Sequence, residues 1–260
     1  MKLRSAVHAV FVLLFVLLLA DCSGHKQTDA KVPPPPAVES TPVPGTSASS
    51  QPLPGNEVPL TEKGEKEKDA LSFPADAKPI LVDTGLASWY GAPYHNRHGS
   101  NGKIYDMNAM TAAHRTLPLG SIVRVTNVKT GHSAIVRITD RGPFIEGRIL
   151  DLSLAAAKKV DVWQPGIAAV RMEVLRAPVP LTQGGRWAVQ IGAFADSESA
   201  QAMKEKLMRR YRSAKVLEFA GPRDDWWVRV RVLNDDKARA EEVARENHTD
   251  EGGIYLVRLD

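Results

Sequence analysis

Cysteine is nearly absent: Cys22 is the only one in 260 residues. No disulfide can form within the chain, and neither thiol catalysis nor a cysteine metal site is available, so folded domains are stabilised by packing alone. A strong charge of one sign is also lacking. The formal net charge is +4, and the surplus is local: residues 83–176 hold 12 Lys and Arg against 7 Asp and Glu, whereas 177–260 are balanced. Such an excess fits an anionic polymer or a membrane surface better than nucleic acid. Nor is there an apolar run that spans a bilayer comfortably, because the stretch 7–20 is short and broken by His8. Before residue 80 the apolar content is too thin for a core, so two small domains are expected rather than one large one.

Lys2 and Arg4 ahead of the 7–20 run read as an export signal over residues 1–21. Leu-Leu-Ala-Asp-Cys at 18–22 resembles a bacterial lipobox, which implies lipidation of Cys22 and a membrane anchor. Asp21 stands where that pattern has a small residue, so retention as an uncleaved anchor is the alternative. Residues 22–82 form a linker: 11 of the 18 prolines lie in 23–82, with Pro33 to Pro36 consecutive. This composition favours an extended, partly polyproline-like tether.

The next segment, 83–176, has the texture of a small β-barrel. A short apolar strand at 86–91 leads into a Gly, Asn and His-rich loop, 92–102. The stretches 121–127 and 134–139 alternate apolar and polar residues around Val-Lys-Thr-Gly, a hairpin signal. Ser153 is placed to cap a helix over 154–160, and 169–175 alternates again, with Val170, Met172 and Val174 on one face and Arg171 and Glu173 on the other. A second linker, 177–185, separates a domain over 186–260. There the pattern predicts strand 187–194, helix 197–211, strands 215–219 and 226–233, helix 236–247 and strand 254–259. The order is βαββαβ, with two helices on one sheet face and Gln190, Trp227 and Arg229 on the other, open to solvent.

Side-chain chemistry alone leaves several roles open. Asp140 precedes Arg-Gly-Pro and suits either a turn cap or an acid. His114 fits proton transfer or a satisfied, partly buried histidine. Asp151 either lines a cleft with Asp140 or pairs with Arg148 or Arg141, and Arg137 and Arg141 suit sugar hydroxyls or plain solvation. His95, His98 and His114 lack a metal-binding spacing, so no metal and no cofactor is expected. On the C-terminal sheet, Trp227 offers an indole to sugar faces, while Gln190 and Arg229 offer hydrogen-bond donors; cover by the chain near Pro222 is the alternative.

Resemblance sharpens this. The segments 85–91 (Gly-Leu-Ala-Ser-Trp-Tyr-Gly), 105–107 (Tyr-Asp-Met), 111–114 (Thr-Ala-Ala-His), 116–120 (Thr-Leu-Pro-Leu-Gly), 123–127 (Val-Arg-Val-Thr-Asn), 140–144 (Asp-Arg-Gly-Pro-Phe) and 147–153 (Gly-Arg-Ile-Leu-Asp-Leu-Ser) together resemble the rare lipoprotein A family. Ala-Val-Gln-Ile-Gly-Ala-Phe at 188–194 resembles the SPOR family. The resemblance implies a double-psi β-barrel followed by a ferredoxin-like SPOR domain, mainly β plus α+β. It also implies an outer-membrane lipoprotein facing the periplasm and enriched at the division septum. The implied activity is a lytic transglycosylase that cleaves peptidoglycan strands lacking stem peptides into 1,6-anhydro-muramyl ends. Asp140 and His114 match the family's catalytic positions, and Gln190, Trp227 and Arg229 lie on the expected glycan-binding face.

One position departs from the family. Active members carry Asn-Gly-Glu before Tyr-Asp, and this chain has Asn101-Gly102-Lys103. An ammonium has no acceptor capacity and is a poor substitute for a carboxylic acid. Three readings follow: Asp140 with His114 suffices, Asp106 or Asp151 substitutes, or the barrel binds denuded glycan without cutting it.

Overall fold

In the computed structural model, residues 71–212, 215–220 and 226–260 are described, with 215–220 as backbone alone. The export signal, Cys22, most of the first linker and Pro222 lie outside the described residues.

Six strands close into a barrel in the order β1-β5-β2-β4-β3-β6: β1 Leu81–Tyr90, β2 Thr111–Ala113, β3 Ile122–Asn127, β4 Ser133–Asp140, β5 Arg148–Ser153 and β6 Ala168–Arg176. β1 runs parallel to β5, and β2 runs parallel to β4; the other four pairings are antiparallel. Alternation explains the core. Val123, Val125, Val136, Ile138, Leu150, Leu152, Val170 and Val174 are fully buried and point into the barrel. A short helix, α1 Leu154–Lys159, starts where Ser153 Oγ accepts the Ala156 N–H at 3.2 Å.

Two expectations need correction. β1 begins at Leu81, inside the expected linker, because Leu81 pairs with Val174 and β6 extends the ladder beyond the apolar stretch. β2 escapes detection because three residues carry no periodicity. Glu173 lies opposite the core row, where Arg171 Nη1 covers it at 2.6 Å and leaves it 7% exposed.

The C-terminal sheet has the order β10-β7-β9-β8 and is wholly antiparallel, with β7 Trp187–Phe194, β8 Lys215–Ala220, β9 Trp226–Arg231 and β10 Ile254–Arg258. Helices α2 Ser197–Arg210 and α3 Lys237–Glu246 start at Asp196 and Asp236, whose carboxylates accept the N–H groups of Ser199 and Arg239. Both helices pack on the row containing Trp187, Val189, Ile191, Val228 and Val230. β9 ends earlier than expected, because Asn234 and Asp235 take positive φ angles of 56° and 52° in a single turn of 3-10 helix. The opposite sheet face is not open. Ala188 and Gln190 are 0% exposed, and Phe144 of the barrel stands against Trp227 and Tyr255 at centroid distances of 5.5 and 5.9 Å.

Candidate active site

Asp140 ends β4 at the barrel rim, and a tight loop holds it. The Gly99 N–H donates to Lys103 O at 2.9 Å, the Gly102 N–H donates to Gly99 O at 3.0 Å, and the Asn101 N–H anchors the loop to Thr139 O at 3.3 Å. This turn brings Ser100 over the carboxylate. Ser100 donates from its N–H (2.9 Å) and its hydroxyl (2.5 Å) to Asp140 Oδ1, which also accepts the Arg141 N–H at 2.8 Å. All three donors converge on one oxygen. Oδ2 lies beside Gly99, where an added Cβ would sit 3.4 Å from it, so the absence of a side chain at 99 keeps that oxygen uncrowded.

Tyr90 is the last residue of β1. Its ring stacks on Tyr105 at 4.3 Å, and the Tyr105 hydroxyl donates to Tyr90 O at 2.8 Å. Burial pushes the Tyr90 phenol well up, and the charges of Asp140, Tyr105 and Asp151 push it further. Asp151 Oδ1 accepts the Ser88 hydroxyl at 2.6 Å and lies 3.5 Å from Arg148 Nη2. Asp151 and Asp140 are both register partners of Ala113 on β2, and of its two expected ion partners Asp151 takes Arg148.

His114 is placed differently from its expected acid-base role. Its Nδ1 accepts the N–H groups of Thr116 (3.1 Å) and Leu117 (3.0 Å), while the His114 main-chain N–H donates to Asp140 O at 3.1 Å. An Nδ1 that accepts twice leaves the ring proton on Nε2. Burial lowers its pKa to about 3, with help from Arg115 and Arg141. A neutral imidazole with so little basicity caps a turn and does not take up a proton near neutrality.

The folded pKa lies below the unfolded value, so the unfolded chain binds more protons between the two. Stability is then complete above about pH 6.5 and falls as pH drops toward 3. His114→Ala, which orphans two buried N–H groups, is expected to cost about 2 kcal/mol at pH 7. Denaturant unfolding across pH checks both statements, with His114→Gln as the non-titrating control.

The remaining candidates are dispersed. Asp106 caps its own turn through the Asn108 N–H at 2.9 Å and faces His95 Nδ1 at 3.9 Å. Lys103 is exposed on the outer limb of the loop, its N–H donating to Asn101 Oδ1 at 3.0 Å. Arg141 is only 8% exposed: it donates from Nη1 to His114 O and Leu117 O and from Nη2 to Asp260 O, at 3.0, 2.6 and 2.6 Å. It is a brace rather than a sugar ligand, and burial lowers its pKa to about 10. Arg229 donates from Nε and Nη2 to Gln190 Oε1 at 3.1 and 3.0 Å. Burial lowers the Arg229 pKa, and the charge of Asp140 opposes that shift. Ser100, Gly99 and Tyr90 were missed as site residues; only the loop's Gly and Asn content signalled the first two.

Fold and site together define a double-psi barrel, with a loop-held carboxylate at its rim, joined to a SPOR-type sheet. Family models agree segment by segment: residues 82–172 match the family described as lytic transglycolase, and residues 183–256 match the SPOR domain family. Proteins named endolytic peptidoglycan transglycosylase RlpA are similar in sequence. The one from Vibrio cholerae is 55% identical over 100 residues, 38% of each chain; the one from Helicobacter pylori strain J99 is 39% identical over 171 residues, 53% of this chain and 54% of that one. A third, from Pseudomonas aeruginosa, is 48% identical over 138 residues, 53% of this chain and 40% of the relative. The chain spans about half the length of these relatives or less.

Proposed function

We propose that this protein is a lytic transglycosylase acting on peptidoglycan strands that lack stem peptides, with Asp140 as its acid and base. The observation that carries the reading is the convergence of Ser100 and the Arg141 N–H on one oxygen of Asp140 in a domain of the lytic transglycolase family. Fixing one oxygen orients the other toward a bound strand. In the first step Asp140 gives a proton to the glycosidic oxygen as the C1–O bond of the muramyl residue breaks. The resulting carboxylate then takes the C6 hydroxyl proton as O6 bonds to C1, so the 1,6-anhydro ring closes without water. His114, held neutral, supports the turn beside Asp140. Export, lipidation at Cys22, an outer-membrane location and septal enrichment through the SPOR domain complete the proposal; the family resemblance and the SPOR match support them.

Lys103 favours a second reading, glycan binding without cleavage, because a cation occupies the loop position where active relatives of this type carry an acid. Incubating the purified full chain with denuded strands and analysing for anhydro-muramyl ends separates the two. Ends are expected, and their absence at high protein concentration would leave only the binding reading. Lys103→Glu is expected to raise their release about tenfold or more, within the range supplied by a positioned acid or base.

A further inference from the structure

The C-terminal sheet face carries the groups expected to hold a sugar, and the barrel occupies it. Phe144 projects from the loop that follows Asp140 and lies against both Trp227 (5.5 Å, 66°) and Tyr255 (5.9 Å, 50°). Arg115 of the barrel lies over the Tyr255 ring at 5.1 Å. Main-chain bonds fasten the same edge: the Arg258 N–H donates to Arg115 O, and the Leu119 N–H donates to Asp260 O, each at 3.0 Å.

This packing leaves a polar group unpaired. Gln190 is 0% exposed, its Oε1 accepts twice from Arg229, and its Nε2 has no hydrogen-bond partner. A buried amide donor without an acceptor is unfavourable, and a sugar hydroxyl is the kind of acceptor that would relieve it. The Phe144 ring, edge-on to Trp227 and tilted against Tyr255, covers both aromatic groups yet offers no such oxygen.

From these contacts we infer that the barrel masks the sheet: Phe144 covers Trp227 and Tyr255, and a glycan strand binds by displacing Phe144 and its loop from the sheet. This inference rests on the reading of the sheet as a glycan-binding face. Binding to a masked site is weakened by the fraction of molecules that are open, so loosening the mask tightens binding without any new contact to the ligand.

The test uses the full chain and purified denuded glycan strands. Phe144→Ala, and separately Arg115→Ala, are expected to bind strands about tenfold more tightly than the unaltered protein in a sedimentation or titration assay. Two variants guard against a substitution that perturbs folding, and circular dichroism verifies each. Hydrogen exchange of the unaltered protein supplies a second readout: amides in the 141–147 peptide are expected to exchange faster when strands are added. Unchanged or weaker binding by both folded variants overturns the mask, as does slower or unaltered exchange in that peptide, the signature of one groove shared by both domains. Binding by none of the three proteins overturns the glycan reading itself, and the mask with it.

Discussion

Asp140→Asn is expected to abolish formation of anhydro-muramyl ends, lowering the rate about 100-fold or more, while changing stability by less than about 1 kcal/mol. The geometry separates the two effects. All three donors, the Ser100 N–H, the Ser100 hydroxyl and the Arg141 N–H, end on Oδ1. Asparagine retains an amide oxygen that can accept from all three, so the 98–104 loop keeps its anchor. What is lost is a group that gives and takes a proton. Rate measured on denuded strands, alongside unfolding by urea, checks both halves. Retention of activity would move the acid to another residue, with Asp151 the next candidate because it pairs with the same β2 residue, Ala113, as Asp140 does. Loss of activity together with a large loss of stability would mean that the carboxylate is mainly a loop anchor.

Arg141→Met is expected to destabilise the protein by about 3 kcal/mol, the largest stability effect of any substitution considered. The guanidinium satisfies three main-chain oxygens, of His114, Leu117 and Asp260. Methionine preserves most of the stem's packing, so the loss reports on those oxygens. The Arg141 Nε is buried without a partner, which offsets part of the gain from the other bonds. Because Asp260 follows β10 while His114 and Leu117 belong to the barrel, the same substitution should uncouple the domains. Calorimetry is expected to show one broad transition split into two, with the C-terminal domain melting first. A single unshifted transition would contradict the bracing role.

The barrel was legible wherever one strand face is buried and the other is not. Val125, Val136 and Ile138 alternate with half-buried neighbours, and the period of two announces β3 and β4. Asp196 and Ser153 announced their helices because capping depends only on local chain geometry. The sheet face was misread for the opposite reason. Nothing in the alternation of Ala188, Gln190 and Gly192 with Trp187, Val189 and Ile191 shows that a second domain covers the polar row. His114 has the same explanation: residue type suggests a proton carrier, but its two backbone donors come from the fold of the next turn. Arg141 looked like a surface ligand because two of its three acceptors lie on a turn more than twenty residues earlier and the third lies in the other domain. Glu173 reads as an outward strand residue until Arg171 closes over it.

The ladder of β1 also bears on how the chain reaches this state. Leu81 pairs with Val174 and Leu86 with Arg148, so both partners of the first strand are made long after it. Contacts of such long range carry a high loop-closure cost and slow the search for the native topology. Until β6 is available, β1 has an unpaired edge that can join a neighbouring chain. A polypeptide interrupted before Arg176 is therefore expected to yield aggregation-prone material rather than a smaller barrel, and the folding unit runs unbroken from β1 through β6.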